Sequence, residues 1–217
     1  MAGPRIAVFD LDNTITRGDS LARFLRYALA RRPGRAWRLF LFPWFAIRYA
    51  LTRDRGRFKG SLLHATVGGL TRTQATALVD GFVSGFPDSA LRPGALAAIA
   101  KHRRDGERLI LLSASPDLYV EPLGRRLGFS QVMASKVRWD GDRLDGHLAG
   151  PNMRGAEKLR AIEAIRGANR GSSIAAYGDA SADLEHLRAV DSPTLVNGKP
   201  AARRAAQALG IPWLDWR

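Results

Sequence analysis

The sequence predicts an α/β fold: a doubly wound parallel sheet with a helical cap inserted after the first strand and a small β-hairpin. From residue 93 onward, short apolar segments alternate with helical segments, a pattern typical of a parallel sheet with helices on both faces. Before that point lie one apolar segment, residues 6–10, and a long stretch with helical patterns alone. We therefore predict a core of residues 1–15 and 91–217, interrupted by a helical cap at residues 16–90.

Four helices are predicted in the cap, at about residues 18–32, 35–51, 57–67 and 71–86. The first has apolar residues at Leu21 and then three, four, seven and eight positions later, and Pro33 follows its end. The second is apolar nearly all round, and Pro43 predicts a kink inside it. The last begins with Thr71-x-x-Gln74, the pattern of a capping box.

The predicted core begins with residues 6–10, an apolar run ending in an acid, which is typical of a buried parallel strand. Trp139-Asp140-Gly141-Asp142-Arg143, within residues 137–148, predicts a β-hairpin with an Asp-Gly turn. Residues 211–216, with Pro212 near the start, predict a short edge strand. The remaining strands are predicted at residues 109–112, 131–134, 174–177 and 194–196, and the helices at residues 93–104, 118–127, 157–165 and 182–188.

Composition narrows the class of protein. The chain has 217 residues and no cysteine, which excludes disulfides, cysteine metal sites and thiol catalysis and favours a reducing compartment. The N-terminus lacks the pattern of a signal peptide, and the longest apolar run, residues 39–47, is shorter than the roughly 20 residues of a membrane span. We therefore expect a cytoplasmic protein, and peripheral contact with the inner face of a membrane stays open.

The charge of the chain is concentrated in one place. The formal net charge is +14, and residues 17–59 contain twelve basic and two acidic residues, a surplus of +10, together with a cluster of aromatic residues. Arginines interleaved with aromatics suit an anionic membrane surface. The alternative interpretation is that the aromatic residues fill the interior of the cap, while the charged residues are solvated or attract a small anion. A basic chain with arginines among aromatics also leaves nucleic-acid binding as a third alternative function. Zinc-finger spacing, a helix-turn-helix and RNA-binding motifs are absent from the sequence, so we expect no nucleic-acid partner and infer no obligate protein partner.

Acids, hydroxyls and one lysine follow or flank the predicted strands. In open α/β sheets ligands bind at the carboxyl ends of the strands, so these groups are expected at one edge. A carboxylate can attack phosphorus, Mg²⁺ held by carboxylates can neutralise the phosphate, and a fixed lysine can bind phosphoryl oxygens. Residues i and i+2 of an extended segment point the same way, so Asp10 and Asp12 can face one phosphate. The groups are Asp10, Asp12 and Thr14 after the first strand, Ser113, Lys158, and then Asp179 and Asp183.

Four motifs in this order resemble those of the haloacid dehalogenase superfamily, whose core is a Rossmann-like sheet, and the insert after the first motif resembles the cap of its phosphoserine-phosphatase-like subgroup. The motifs are Phe9-Asp10-Leu11-Asp12-Asn13-Thr14, Leu111-Leu112-Ser113, Lys158, and Gly178-Asp179-Ala180-Ser181-Ala182-Asp183. The resemblance implies that Asp10 is the nucleophile and Asp12 the general acid and base, with Ser113 and Lys158 on the phosphate. It also implies Mg²⁺ on Asp10, the Asp12 carbonyl and Asp179, supported by Asp183. Thr14 is expected to bond the phosphate or brace the loop.

The substrate is less sharply indicated. Phosphoserine phosphatases have Gly-Gly after the serine of the second motif, whereas Ala114-Ser115 stand here. Asp19, and Arg53 or Arg55, are candidates to bind the substrate from the cap. The cap sequence, with Phe24-Leu25-Arg26-Tyr27 at its start, resembles the phosphatidylglycerophosphatase C family more closely, which implies a phospholipid headgroup phosphate met at the membrane surface. The alternative is a small soluble phosphorylated alcohol, such as phosphoserine.

Overall fold

The computed structural model describes residues 5–217, with the exception of the Leu39 side chain. Six parallel strands form the main sheet in the order β3-β2-β1-β6-β7-β8, and β4 and β5 form a separate antiparallel hairpin. The α/β fold predicted from the sequence is therefore confirmed. The strands are β1 (Ile6–Phe9), β2 (Arg108–Pro116), β3 (Gln131–Ser135), β4 (Val137–Asp140), β5 (Arg143–Leu148), β6 (Ile174–Gly178), β7 (Ser192–Val196) and β8 (Trp213–Leu214).

Helices connect these strands and cover the sheet. Four of them, α1 to α4, lie between β1 and α5 together with 3-10 helices at Pro33–Leu41 and Asp88–Ala90, and this helical segment is called the insert below. The α-helices are α1 (Ser20–Arg31), α2 (Phe42–Thr52), α3 (Arg55–Val67), α4 (Arg72–Ser84), α5 (Pro93–Arg104), α6 (Asp117–Arg126), α7 (Ala156–Ala168), α8 (Leu184–Leu187) and α9 (Pro200–Ala208).

The central strand β1 is buried on both faces, which explains its uninterrupted apolar sequence. Ala7 and Phe9 belong to the hydrophobic core on one side of the sheet, whereas Ile6 and Val8 belong to the core on the other. This alternation follows from the two-residue period of a strand. Strand β1 pairs with β2 and β6 and is packed on both faces. The residues that directly follow β1 are therefore held in a fixed position.

The insert joins the sheet where two chain segments run side by side. Thr16 and Leu91 form an antiparallel bridge at this junction, next to the predicted boundaries of the cap. Within the insert, Phe24 is fully buried and stacks on Tyr119 of α6, with the ring centroids 4.8 Å apart. Phe82 of α4 contacts the same Phe24 ring edge-on at 5.2 Å. Aromatic packing therefore fixes the insert to the helix that follows β2.

The hairpin forms as predicted, with Gly141 of the Asp-Gly turn at a φ of 55°. It packs against α3 of the insert, a contact that the sequence did not predict. The backbone N–H of Leu144 donates to the carbonyl of Leu70 at 2.8 Å, and the N–H of Gly69 donates to the carbonyl of Leu144 at 2.7 Å. The insert is thereby attached to the core at a second place.

The prediction of one helix over residues 35–51 is wrong in detail. A 3-10 helix ends at Leu41 and α2 begins at Phe42, with Pro43 in the first turn of α2 rather than at an internal kink. Proline has no N–H to donate and its ring displaces the carbonyl four residues earlier, so proline is well tolerated in the first turn of an α-helix and costly further inside it. The other predicted helices are present with bounds shifted by a few residues, and the capping box of Thr71 and Gln74 is confirmed.

The close packing of α6 on the sheet leads to a prediction about the free energy of unfolding. A Cβ on Gly124 would lie 2.6 Å from Val132 Cγ2 and 3.0 Å from Leu111 Cδ2, both of them side chains of the sheet. We expect Gly124→Ala to destabilise the protein by about 1–3 kcal/mol in chemical unfolding, because the core is overpacked. Gly167→Ala is the matched control in α7, where the space around the glycine is open and the change should stabilise by up to about 1 kcal/mol. Equal effects of the two substitutions would contradict this packing.

Candidate active site

A cleft of about 650 Å³ opens at the carboxyl edge of the sheet, where β1, β2 and β6 end and the insert covers them. Seven of the residues that line it were predicted as site residues from the sequence: Asp19 and Arg55 come from the insert, and the other five come from the core. The five from the core are Asp10, Asp12, Lys158, Asp179 and Asp183. The parallel topology brings them together from three segments that are far apart in the chain.

Lys158 forms a buried ion triad with two carboxylates. Its Nζ lies 2.6 Å from Asp10 Oδ1 and 2.8 Å from Asp183 Oδ1. The exposed fractions are only 2% for Lys158, 7% for Asp10 and 4% for Asp183. Asp10 follows β1, Lys158 lies in the first turn of α7, and Asp183 lies after β6. One cation is thus shared by the ends of the two central strands.

The pKa values of the triad follow from burial and charge together. Burial opposes the charge of Lys158, but the two carboxylates outweigh it and raise the pKa of the ammonium, which therefore stays charged. Burial by itself would raise the pKa of Asp183, yet Lys158 and His186 hold it below its usual range. Burial raises the pKa of Asp10 to about 6, although Lys158 acts in the opposite direction.

Asp179 completes a cluster of three carboxylates. Burial, reinforced by Asp10 and Asp183, raises the pKa of Asp179 to about 8. One oxygen from each of the three residues lies within 4.8 Å of the others. An all-oxygen set with excess negative charge is the set that hard divalent cations prefer, and such a cation would relieve the repulsion that adds to burial in raising the pKa values of Asp10 and Asp179. The residues present therefore fit a divalent metal.

Asp12 is held by two short hydrogen bonds. The backbone N–H of Ser20 donates to Asp12 Oδ1 at 2.6 Å, and the Ser115 hydroxyl donates to Oδ2 at 2.6 Å. Burial, followed by the nearby Asp19 carboxylate, raises the pKa of Asp12. Asp12 is consequently oriented by the insert on one side and by the end of β2 on the other.

Ser115 was not singled out from the sequence, where Ser113 was preferred. The structure places Ser113 fully buried, with its hydroxyl accepting the backbone N–H of Ser115 at 3.1 Å. Ser115 lines the cleft and contacts Asp12. Thr14 is also fully buried and donates to Asp10 Oδ2 at 3.1 Å, a contact that favours bracing over phosphate binding.

The three candidates in the insert differ in position. Asp19 lines the cleft, and its carboxylate caps α1 by accepting the N–H of Leu21 at 2.8 Å. Arg55 also lines the cleft. Arg53 lies at the exposed end of α2, outside the described residues that line the cleft. Its left-handed backbone, with a φ of 53°, ends the helix there.

Lys59 enters the cleft from α3, and the sequence analysis counted it only as part of the basic segment. Its Nζ donates to the carbonyl of Ala114 and, at 3.2 Å, to Asn152 Oδ1. Burial lowers the pKa of Lys59 to about 8. Its position depends on how α3 packs, so a local motif could not have identified it.

The outer side of the insert carries an apolar ridge, defined by Trp37, Phe40, Leu41, Phe42, Trp44, Ile47 and Leu51, all of them exposed. Every residue of α2 that the structure describes is at least partly exposed. Tyr49 packs on Phe58 of α3 with centroids 5.3 Å apart, whereas Trp44, Ile47 and Leu51 fall on the opposite face of α2 by helical spacing. Within residues 5–217, the helices lack the combination of length and hydrophobicity that a membrane crossing requires.

Comparison with known proteins identifies the family of this chain. The sequence pattern of haloacid dehalogenase-like hydrolases matches residues 7–188. The chain is 34% identical over 204 residues to Protein CicA of Caulobacter vibrioides, covering 91% of this chain and 89% of the relative. It is 30% identical over 216 residues to the phosphoserine phosphatase SerB2 of Mycobacterium tuberculosis, covering 97% of this chain and 49% of that protein. A protein of unknown function from Bordetella pertussis Tohama I has a similar fold, with a TM-score of 0.81, 24% identity and coverage of 99% and 100%.

The buried triad makes a prediction that is independent of catalysis. Lys158→Met removes the cation that Asp10 and Asp183 share, so we expect it to lower the free energy of unfolding by about 3–5 kcal/mol in EDTA. A divalent cation should restore part of this loss, because it can take over the neutralising role. Urea unfolding with EDTA and with Mg²⁺ measures both effects.

Lys101→Met is the matched control, because Lys101 forms an exposed pair with Asp105 and its loss should cost at most about 1 kcal/mol. If Lys158→Met is as stable in EDTA as Lys101→Met, the triad does not hold the site together.

Proposed function

This chain belongs to the haloacid dehalogenase-like hydrolase family and is a phosphatase of its phosphoserine-phosphatase-like subgroup, and from this premise we propose that it hydrolyses a phosphate monoester through a phosphorylated Asp10. The observation that carries the proposal is the buried triad of Lys158, Asp10 and Asp183, with Asp12 beside it in the same cleft. A nucleophilic carboxylate next to a fixed ammonium and an oriented second acid are the parts that this reaction needs.

In the first step an oxygen of Asp10 forms a bond to phosphorus as the ester P–O bond breaks. Asp12 donates a proton to the departing oxygen, a role supported by the raised pKa of its carboxyl group. In the second step Asp12 accepts a proton from water, the water oxygen bonds to phosphorus, and the bond to Asp10 breaks. Inorganic phosphate leaves, and both carboxyl groups return to their starting states.

The remaining residues bind or orient. Lys158 offers its ammonium to the phosphoryl oxygens, Ser113 and the end of β2 supply donors, and Thr14 braces Asp10. We propose Mg²⁺ as the divalent cation, held by Asp10, the Asp12 carbonyl and Asp179 with support from Asp183; when bound, it supplies charge neutralisation for the phosphate. Ser115 and Ser20 keep Asp12 oriented toward the phosphate.

We assign residues 16–90 to a cap over this site. Several of its side chains line the cleft, and Asp19, Arg55 and Lys59 are the charged ones among them. A cap that contributes side chains decides which leaving group fits, because the phosphate itself is bound by the core. Arg53, exposed and away from the cleft, is the weakest of the substrate-binding candidates from the sequence.

For the substrate we propose a phospholipid headgroup phosphate, such as that of phosphatidylglycerophosphate, met at the cytoplasmic face of a membrane. The apolar ridge supports this, since exposed aromatic and aliphatic side chains on one face favour insertion at a bilayer interface. Arg48 is exposed on α2 beside the ridge, and Arg38 lies over the Trp37 ring at 5.5 Å, so positive charge accompanies the apolar surface. Tyr49 lines the cleft from α2, which places the ridge and the cleft on the same helix.

A small soluble phosphomonoester is the alternative substrate. The feature that favours it is the set of opposite charges at the cleft, where Asp19 could bind an amine while Arg55 or Lys59 binds a carboxylate. The similarity to the phosphoserine phosphatase SerB2 points in the same direction.

The covalent mechanism makes the first functional prediction. We expect Asp10→Asn to lower turnover of a generic aryl phosphate at least about a thousandfold, because an amide oxygen is a poor nucleophile. Asp88→Asn is the control. Asp88 is exposed and outside the described residues that line the cleft, so this variant should keep its activity. Acid quenching after brief exposure to a ³²P-labelled ester should trap label on the wild-type protein and none on Asp10→Asn. Full activity of Asp10→Asn would refute the mechanism.

The proposed membrane contact leads to the second functional prediction. We expect the protein to co-sediment with phosphatidylglycerol vesicles and Trp44→Ser/Ile47→Ser/Leu51→Ser to bind them at least tenfold more weakly, with unchanged activity on a soluble aryl phosphate. The control is Leu209→Ser/Leu214→Ser, which removes exposed leucines outside the ridge. A panel comparing phosphatidylglycerophosphate in mixed micelles with soluble esters gives the substrate. No vesicle binding, together with faster turnover of a soluble ester, would establish the alternative.

A further inference from the structure

A second cluster of metal-binding side chains lies away from the cleft, where α3 meets β5. It consists of His64 on α3 and of Asp145 and His147 on β5, and one ligand atom from each lies within 4.8 Å of the others. We propose that these three residues bind a transition-metal cation of the Zn²⁺ class, independently of the acidic cluster at the active site. Two imidazoles and one carboxylate are a donor set typical of such ions, whereas Mg²⁺ prefers oxygen alone.

The distances agree with shared coordination. Asp145 Oδ1 lies 3.5 Å from His64 Nδ1 and 3.3 Å from His147 Nδ1. Ligands that bind one tetrahedral zinc at about 2.0–2.1 Å are themselves about 3.3–3.4 Å apart. Two of the three separations are therefore close to those that a single ion would require, and the two histidine ligand atoms lie within 4.8 Å of each other.

The carboxylate is oriented by a neighbour. Arg138 Nε donates to Asp145 Oδ2 at 2.6 Å, and His147 Nδ1 lies 3.1 Å from the same oxygen, while Oδ1 lies 3.5 Å from His64 Nδ1. Partners of this kind, which hold a ligand without touching the ion, are a regular part of metal sites. Without the ion, the His64 Nδ1–H donates to the Asp145 carbonyl at 2.7 Å. On binding, that proton moves to Nε2, and Nδ1 exchanges the hydrogen bond for a bond to the metal.

The backbone holds the three residues in place. Asp145 and His147 are two positions apart on β5, and their side chains lie together, with His147 Nδ1 3.1 Å from Asp145 Oδ2. Between them Gly146 has a φ of +91°, and a Cβ there would lie 2.7 Å from the His64 backbone nitrogen. Gly60 on α3 is also closely packed, with its would-be Cβ 3.1 Å from the His147 Cα. The two glycines let strand and helix approach closely, so the histidines meet at a packed crossing.

The site would join two parts of the fold. His64 belongs to the insert, whereas Asp145 and His147 belong to the hairpin of the core. His64 is exposed and the other two are half-buried, so an ion can enter from solvent. A bound ion would fasten α3, the helix that carries Lys59 into the cleft, to the core. We therefore expect metal binding to raise the thermal stability of the protein.

The test uses the full chain without any affinity tag, stripped with EDTA and then held in a large excess of Mg²⁺ to occupy the acidic cluster. Zn²⁺ is titrated against a chromophoric chelator, and the melting temperature is measured with and without Zn²⁺. We expect one Zn²⁺ equivalent and a rise in melting temperature for the wild type. His64→Gln/His147→Gln should bind at least tenfold more weakly and lose the rise.

Two further variants keep the result interpretable. Asp179→Asn alters the acidic cluster and should keep the Zn²⁺ equivalent, which separates the two sites. Asp145→Asn retains both histidines and the shape of the site, and it should also weaken Zn²⁺ binding at least tenfold, so the test stands even if the double variant folds poorly. The proposal is overturned if the wild type binds no Zn²⁺ under these conditions. It is also overturned if Asp179→Asn abolishes binding or Asp145→Asn leaves it unchanged.

Discussion

The ion triad of Lys158 with Asp10 and Asp183 is the interaction on which the rest of the active site depends. Three charges are removed from water at the point where the two central strands end. Such burial is tolerated only when charges are matched and hydrogen-bonded. The end of β1, the loop after β6 and the start of α7 must therefore keep fixed positions relative to one another. Asp179 lies beside this group, and its pKa is raised first by burial and then by the Asp10 and Asp183 carboxylates.

The insert, as well as the sheet, positions the side chains of the active site. Asp12 receives one hydrogen bond from Ser20 at the start of α1 and one from Ser115 at the end of β2, so its orientation depends on both parts of the fold. Ser20 also hydrogen-bonds to Tyr119, whose ring stacks on Phe24. The aromatic packing that attaches the insert is therefore continuous with the contacts that orient the acid.

Local sequence patterns predicted the strands, most helices, the Asp-Gly hairpin and the acids of the site, because each of these depends on nearby residues or on the general rule that ligands lie at strand ends. They did not predict Lys59 or Ser115 as neighbours of Asp12 and the cleft, since those positions result from packing between distant segments. The break at Pro43 was detectable, but its effect was misjudged as a kink. The contact of α3 with β5 had no sequence signal beyond two glycines, whose meaning depends on what lies opposite them.

The bridge between Thr16 and Leu91 has a consequence for the evolution of this architecture. Because the two segments lie side by side, with Arg17 N–H donating to Ala90 at 2.6 Å and Arg92 N–H donating to Ile15 at 2.8 Å, the chain leaves the core and returns to it at nearly one point. A tight turn of a few residues would close the same two segments, and closure entropy rises only slowly with the length of what is inserted. The core thus sets no length for the segment it accepts, and segments of different size and chemistry can be exchanged at this position while the catalytic edge keeps its geometry.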